Sequence, residues 1–258
     1  MQVAVIIGIG SMAQATLSHA ALQITQASRS ISGSVYLGYG SWSLGEDQFG
    51  TSTADLGPYS PANGVTISRY VVRDSKGGAV LTARAYAQHV SDLGGSQVTG
   101  DLRTSGGTAG SWNFGPNTNY TARSDLSATF VLTQPLDIAI FSHLSVFQRG
   151  FIETQSAHVA LERIVEGQWV SVWSRGITSP EGYSYQMTLP ALTEVLSLAV
   201  GEYRLTAFAE TSKTGWNGAG DFGTQALCQF TMISVPAPAA LPWFGVVAVA
   251  SRRRRTCH

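Results

Sequence analysis

Between Ala79 and Val90 the chain alternates strictly. Val80, Thr82, Arg84, Tyr86 and Gln88 fall on one side, and Ala79, Leu81, Ala83, Ala85 and Ala87 on the other. A period of two with small apolar residues on one side predicts a β-strand whose alanine face is buried. Val65–Arg73 carries the same β-rich character, and Asp74-Ser75-Lys76-Gly77-Gly78 between them is turn chemistry, so the pair reads as a hairpin. Upstream, residues 32–43 form a strand showing Val35 and Leu37 to one side and Tyr36 to the other. Residues 48–64, punctuated by Gly57-Pro58 and Pro61-Ala62-Asn63-Gly64, read as loop.

The second half is more regular. Ala128–Leu132 and Leu136–Phe141 are strands interrupted at Gln134-Pro135, which implies an edge, a bulge or a change of sheet. Residues 158–173 are two strands joined through Glu166-Gly167, and Ser179–Ser184 is a turn. Gly201–Ala209 is a strand with Tyr203, Leu205, Ala207 and Ala209 on one face. The glycine-rich stretch 215–223 reads as a loop before a last strand, Ala226–Val235. Residues 94–119, dense in Gly, Ser, Thr and Asn, predict short strands with long loops, and 189–200 could form one helical turn. Strands at short intervals, with no amphipathic helix of ordinary length and no fixed repeat, predict an all-β fold. The expected form is a single antiparallel β-sandwich or jelly-roll-like domain over residues 30–234.

Composition agrees. Of 258 residues 44% are hydrophobic, enough for a core, while only 12% are charged and Lys76 and Lys213 are the only lysines. The formal charge of zero conceals an asymmetry. Without Arg252–Arg255, twelve basic residues face sixteen acidic ones, so the body carries about −4 and offers no stripe for nucleic acid. Two cysteines, Cys228 and Cys257, allow one disulfide on paper; a lone buried Cys228 is the preferred reading.

At the amino end, Gly8-Ile9-Gly10-Ser11-Met12-Ala13 matches a dinucleotide-binding pattern after an apolar run. That pattern works only within a βαβ unit with an acidic residue about 20 positions on, and the first acidic residue is Glu46. A secretory signal peptide over residues 1–15 explains the same residues better. Val3–Met12 is the apolar region and Ala13-Gln14-Ala15 the cleavage site, although no Lys or Arg precedes the run.

Candidate chemistry is sparse. His19, His89, His143, His158 and His258 show no ligand spacing, and there is no nucleophile elbow or phosphate loop, so neither metal nor cofactor is expected. Glu153, Glu162, Glu166 and Glu210 are the nominal carboxylates for a hydrolytic pair. Trp112 and Trp216, both in Gly/Asn-rich loops, are the candidate glycan contacts. Trp169 and Trp173 share strand parity, with Val170 and Val172 opposite, which gives one of those two faces to the core.

The last 24 residues are built differently. Val235-Pro236-Ala237-Pro238-Ala239-Ala240-Leu241-Pro242 opens the tail, an apolar run of about ten residues follows, and Arg252, Arg253, Arg254 and Arg255 close it. The run is half of what spans a bilayer, while the arginines would hold that end on the cytoplasmic side. This order resembles the PEP-CTERM sorting signal of Gram-negative bacteria, with Ala237 in place of the usual glutamate and an apolar run of about half the usual length. The resemblance covers roughly the last tenth of the chain. It implies export, processing near the Pro-x-Pro string by an exosortase-type membrane protease, transient membrane contact through the tail, and a life in the outer envelope or extracellular matrix. A strand of the form Leu198-x-x-Gly-x-Tyr-x-Leu205 before the tail is similar to the bodies of such proteins, which share no enzymatic activity.

The expectation is therefore a sandwich followed by a disordered or short helical sorting tail at 235–258. Its work would be structural or adhesive among exopolysaccharide, without catalysis. A carbohydrate-binding module is the alternative, and a jelly-roll glycoside hydrolase stands behind both.

Overall fold

The computed structural model describes residues 22–73, 77–94, 97–110, 116–149, 153–179, 185–214 and 222–235. Twelve strands follow one another: β1 Gln23–Tyr39, β2 Trp42–Thr53, β3 Ala62–Arg73, β4 Gly77–Asp92, β5 Gln97–Ala109, β6 Pro116–Leu132, β7 Leu136–Arg149, β8 Glu153–Val165, β9 Gln168–Thr178, β10 Tyr185–Leu198, β11 Gly201–Lys213 and β12 Phe222–Val235. They form two six-stranded antiparallel sheets. Sheet A runs β2-β1-β6-β11-β8-β9 and sheet B runs β10-β7-β12-β5-β4-β3.

From β5 onward the chain crosses between the sheets in the wrapping order of an eight-stranded jelly roll, with β5-β12-β7-β10 facing β6-β11-β8-β9. The first four strands lengthen each sheet at one side, β1-β2 beside β6 and β4-β3 beside β5. The expected sandwich is thus present, and the interruption at Gln134-Pro135 is a change of sheet, from β6 in A to β7 in B. Connections alternate between the two ends of the sandwich. The last residues of β1, β3, β5, β7, β9 and β11 share one end of the sandwich, while Gln23 and Val235 lie at the other.

Two apolar clusters fill the space between the sheets. The larger joins the jelly-roll strands through residues such as Leu102, Leu126, Phe130, Ile140, Leu161, Leu205 and Phe230. The smaller, built on Ile31, Val35, Leu37, Ile67, Leu81 and the alanines of β4, holds the added strands. The alternation read in β4 matches its burial: Leu81, Ala83, Ala85 and Ala87 are buried, while Val80, Arg84 and Tyr86 are exposed.

Four sequence expectations are corrected. Residues 94–119 contain the 13-residue strand β5, and 48–64 contain the end of β2 and the start of β3. Glycine misled the reading, because here it makes room for aromatics. Gly100 lies opposite Phe230 on the adjacent strand, where a Cβ would come within 2.3 Å of the ring, and Gly33 stands likewise opposite Phe49. An aromatic laid over a cross-strand glycine restores the packing the glycine forgoes.

The helical turn at 189–200 is also replaced, by edge strand β10, which pairs with β7 and carries Pro190 within a bulge between Leu189 and Leu192. An edge tolerates proline because its outer N–H groups need no partner. Finally, Trp169 and Trp173 do not share a face. A bulge leaves Val172 unpaired, with Leu161 opposite Trp173 and Glu162 opposite Ser171. One extra residue reverses the parity, so Trp173 enters the core while Trp169 lies outside under Arg204, 4.5 Å from its guanidinium carbon.

Candidate functional site

The outer face of sheet B holds two adjoining depressions of about 590 and 710 Å³ that share Tyr86, Ser105, Phe147 and Gln225. Register explains the arrangement. Phe147 on β7, Gln225 on β12, Ser105 on β5 and Tyr86 on β4 stand at one level, each opposite the next. Three strand spacings put the two aromatics about 14 Å apart. Both are partly exposed, and Tyr86 is braced by Gly64 opposite it, where a Cβ would lie 3.0 Å from the ring.

Hydroxyl and amide groups of Thr66, Ser105, Ser145, Gln186, Thr188 and Gln225 line the floor and walls, with Arg84, Arg103 and Arg149 around them and no carboxylate in either lining. Arg103 is committed to Asp101 by two hydrogen bonds of 2.7 and 2.6 Å. Arg84 and Arg149 are exposed, and no described residue forms an ion pair with them. The groove is a shallow, locally basic surface with an aromatic at each side, a form suited to a short stretch of polymer bearing hydroxyls and negative charge.

A second polar constellation is interior, at the start of β8 and the end of β11. Tyr120 on β6 donates to Glu153 Oε1 at 3.0 Å and lies 2.9 Å from Thr224 Oγ1, while Lys213 Nζ donates to Thr118 Oγ1. All five side chains are essentially without exposed surface, as are Gln155 and Thr211 beside them. Burial raises the Glu153 carboxyl to about 7, against the pull of the Tyr120 hydrogen bond and the Lys213 charge. Burial likewise lowers Lys213 to about 8, offset in part by Glu153, and pushes the Tyr120 phenol up. Tyr120 owes its place to Gly106 across the sandwich, where a Cβ would sit 2.0 Å from the ring.

Toward the opposite end, Arg29 is buried and holds the 54–61 connection. It donates to the carbonyls of Asp55 and Gly57, the latter at 2.7 Å, and lies over the Tyr59 ring at 5.0 Å. His89 is buried beside it, 2.9 Å from Ser91 Oγ and 3.2 Å from Ser124 Oγ, with its edge against Tyr59. Burial, then the Arg29 charge, lowers its pKa to about 4, so the ring is neutral. Its hydrogen bonds mark it as a polar plug of the smaller core.

The residues named from sequence are dispersed. His143 faces out on sheet B and His158 faces out on sheet A, stacked on Phe208, so the described histidines occupy separate compartments. Among the described residues no three His, Cys, Asp or Glu side chains are grouped to hold a metal. Of the nominal carboxylates, Glu162 and Glu210 lie on the outer face of sheet A, paired with Arg204 at 2.8 Å and Arg123 at 2.7 Å. Glu166 sits in the β8–β9 turn at φ 51°, with Gly167 at φ 78°, and Glu153 is interior. No two of these four face one another across a cleft. Trp112 and Trp216 lie outside the described residues, as do Pro236, Ala237, Pro238 and Arg252–Arg255 of the sorting string; Val235 ends β12 opposite Asp137.

The groove at Tyr86 and Phe147 was missed in the sequence. Tyr86 stood on the predicted solvent face of its strand, but its level partner is 61 residues away and only the sheet order unites them.

No known family's profile matches the chain, and no curated protein sequence matches it. Among solved structures, the enzymatically active domain of bacteriophage CBA120 tailspike protein 4 is similar at 12% identity, TM-score 0.21, over 69% of this chain and 19% of that one. The infectious bursal disease virus Gx strain structure aligns at 8% identity, TM-score 0.21, over 83% of this chain and 68% of that one. The chain thus spans about a fifth of the tailspike domain's length and about two thirds of the viral chain's. At these scores neither likeness passes a fold or a function to this protein.

Proposed function

We propose that this is an exported, non-enzymatic β-sandwich protein of the outer envelope or extracellular matrix of a Gram-negative bacterium, structural or adhesive among exopolysaccharide. The observation that supports it is the junction of body and tail. β12 is a central strand, paired with β7 from Gly223 to Val235 and with β5 from Phe222 to Ile233, and Val235, its last residue, is the first of the Val-Pro-Ala-Pro string. Proline brings no N–H to a ladder, so a Pro-x-Pro string is suited to follow the last paired residue of a central strand and not to lie within it. Fractionating the native host, with mass spectrometry of both mature ends, tests the reading. Loss of residues up to about Ala15 and of the arginine tail, in an envelope or medium fraction, is expected; a cytosolic protein with intact ends would refute it.

A second reading, polysaccharide binding, is favoured by the Tyr86–Phe147 groove. Two aromatics flanking a hydroxyl- and amide-lined floor, with Arg84 and Arg149 exposed nearby, suit an acidic polysaccharide better than a neutral one. Affinity electrophoresis against acidic and neutral polysaccharides tests it, with Trp112→Ala and Trp216→Ala examined beside the groove variants.

A further inference from the structure

The interior patch at Glu153 has an unbalanced set of hydrogen-bonding groups. Glu153 Oε2, both Gln155 Nε2 and Gln155 Oε1, and Thr211 Oγ1 are buried and find no partner among the described residues. An amide with both ends unmatched beside an unmatched hydroxyl is a costly arrangement in any interior. These three side chains are also neighbours by register. Gln155 on β8 stands directly opposite Thr211 on β11, and Glu153 stands opposite Lys213, the next inward level of the same ladder. Opposed residues in an antiparallel pair hold their Cβ atoms about 4.5–5.5 Å apart. Rotation about side-chain bonds alone therefore brings the Thr211 hydroxyl to the Gln155 amide carbon.

We propose that the folded protein joins Thr211 to Gln155 as an intramolecular ester between β11 and β8. The Thr211 hydroxyl oxygen attacks Gln155 Cδ while the Glu153 carboxylate takes the hydroxyl proton. The tetrahedral intermediate collapses with cleavage of the Cδ–N bond, and Glu153 passes that proton to the departing nitrogen. One ester forms, one amide bond breaks, one ammonia leaves, and no group is oxidised or reduced. Escape of the ammonia to solvent as ammonium draws the exchange forward.

The bond consumes every unmatched donor of the pair, the two amide hydrogens and the hydroxyl hydrogen, which is the imbalance the patch displays. Glu153 is suited to its task, since with burial holding its carboxyl at about 7 both protonation states are populated near neutrality. Lys213, the other nucleophile of the patch, is directed toward β6 by donating to Thr118 Oγ1. With Cys228 buried and unpaired, such a staple would close the 155–211 segment without any oxidation.

Tryptic digestion of the purified full-length chain decides the matter. Cleavage after Arg149 and Arg163 isolates Gln155, and cleavage after Arg204 and Lys213 isolates Thr211. The expected result is one joined species, lighter than the sum of peptides 150–163 and 205–213 by one ammonia and split by hydroxylamine. It should be absent from Thr211→Val and Glu153→Gln chains digested after denaturation, a readout independent of their stability. Two separate peptides at their sequence masses would overturn the proposal, leaving ordered water to fill the patch. So would a joined species that resists hydroxylamine and maps to Lys213.

Discussion

Lys213 and Glu153 face one another across the β11–β8 ladder, both pointing inward and both with almost no exposed surface. Neither is at its ordinary pKa, and His89 at the other end of the interior is not either. Glu153 is raised from 4.5 to about 7, so the native state holds its proton more tightly and stability falls as pH climbs through that window. His89 is lowered from 6.5 to about 4, so the unfolded state takes the proton first and stability rises with pH between those values. From pH 4.5 to 6.5 the two slopes oppose one another, each about 1.4 kcal/mol per pH unit. Urea unfolding should give a nearly flat midpoint across this range for the parent. Glu153→Gln should rise with pH and His89→Gln should fall. Parallel profiles for all three would contradict the assignment.

Lys213 acts higher. Its pKa, lowered from 10.5 to about 8, makes the native state release a proton early, so stability should climb as pH rises from 8 toward 10.5. Lys213→Met should lose that climb.

Tyr120 and Gly106 are a fitted pair across the two sheets. Gly106→Ala sets a methyl 2.0 Å from the phenol ring and should cost about 1–3 kcal/mol, whereas Gly50→Ala, with nothing nearer than 3.7 Å, should cost much less. Tyr120→Phe keeps the ring but leaves Thr224 and Glu153 without its hydroxyl, a loss of about 1–3 kcal/mol. Chemical denaturation of the three variants checks the order.

Cys228 is wholly buried, and burial pushes its thiol up, so it should resist thiol reagents in the native state. In a Cys257→Ser chain, labelling should track the unfolding transition. Rapid labelling without denaturant would show that the strand opens locally.

For the groove, Tyr86→Ala and Phe147→Ala should each weaken binding of an acidic polysaccharide by about 1 kcal/mol, roughly fivefold. Arg84→Ala should also flatten the dependence on salt. Isothermal titration with a polyuronate is the check, and a response as strong toward a neutral glucan would argue against charge recognition.

Much of the fold was legible because alternation is a local property. In β4 and β11 the buried set could be read from parity alone, and Gln134-Pro135 announced a break where the chain changes sheets. What escaped depends on partners distant in sequence. Gly100 looked like a loop residue until Phe230 covered it, and the parity of Trp169 and Trp173 failed because Val172 is a bulge that only pairing with β8 reveals. The site fared worse for the same reason. Tyr86 and Phe147, like Gln155 and Thr211, meet through strand order, which no window of sequence contains.

The alternation of connections gives the molecule a direction. Gln23 and Val235 lie at one end, and Ala109, Pro116, Lys213 and Phe222 lie at the other, about 45 Å away for strands of this length. A chain tethered through the residues after Val235 would stand upright from its anchor. It would present the far ends of these strands outward like the head of a pin, while the sheet B groove runs along the shaft.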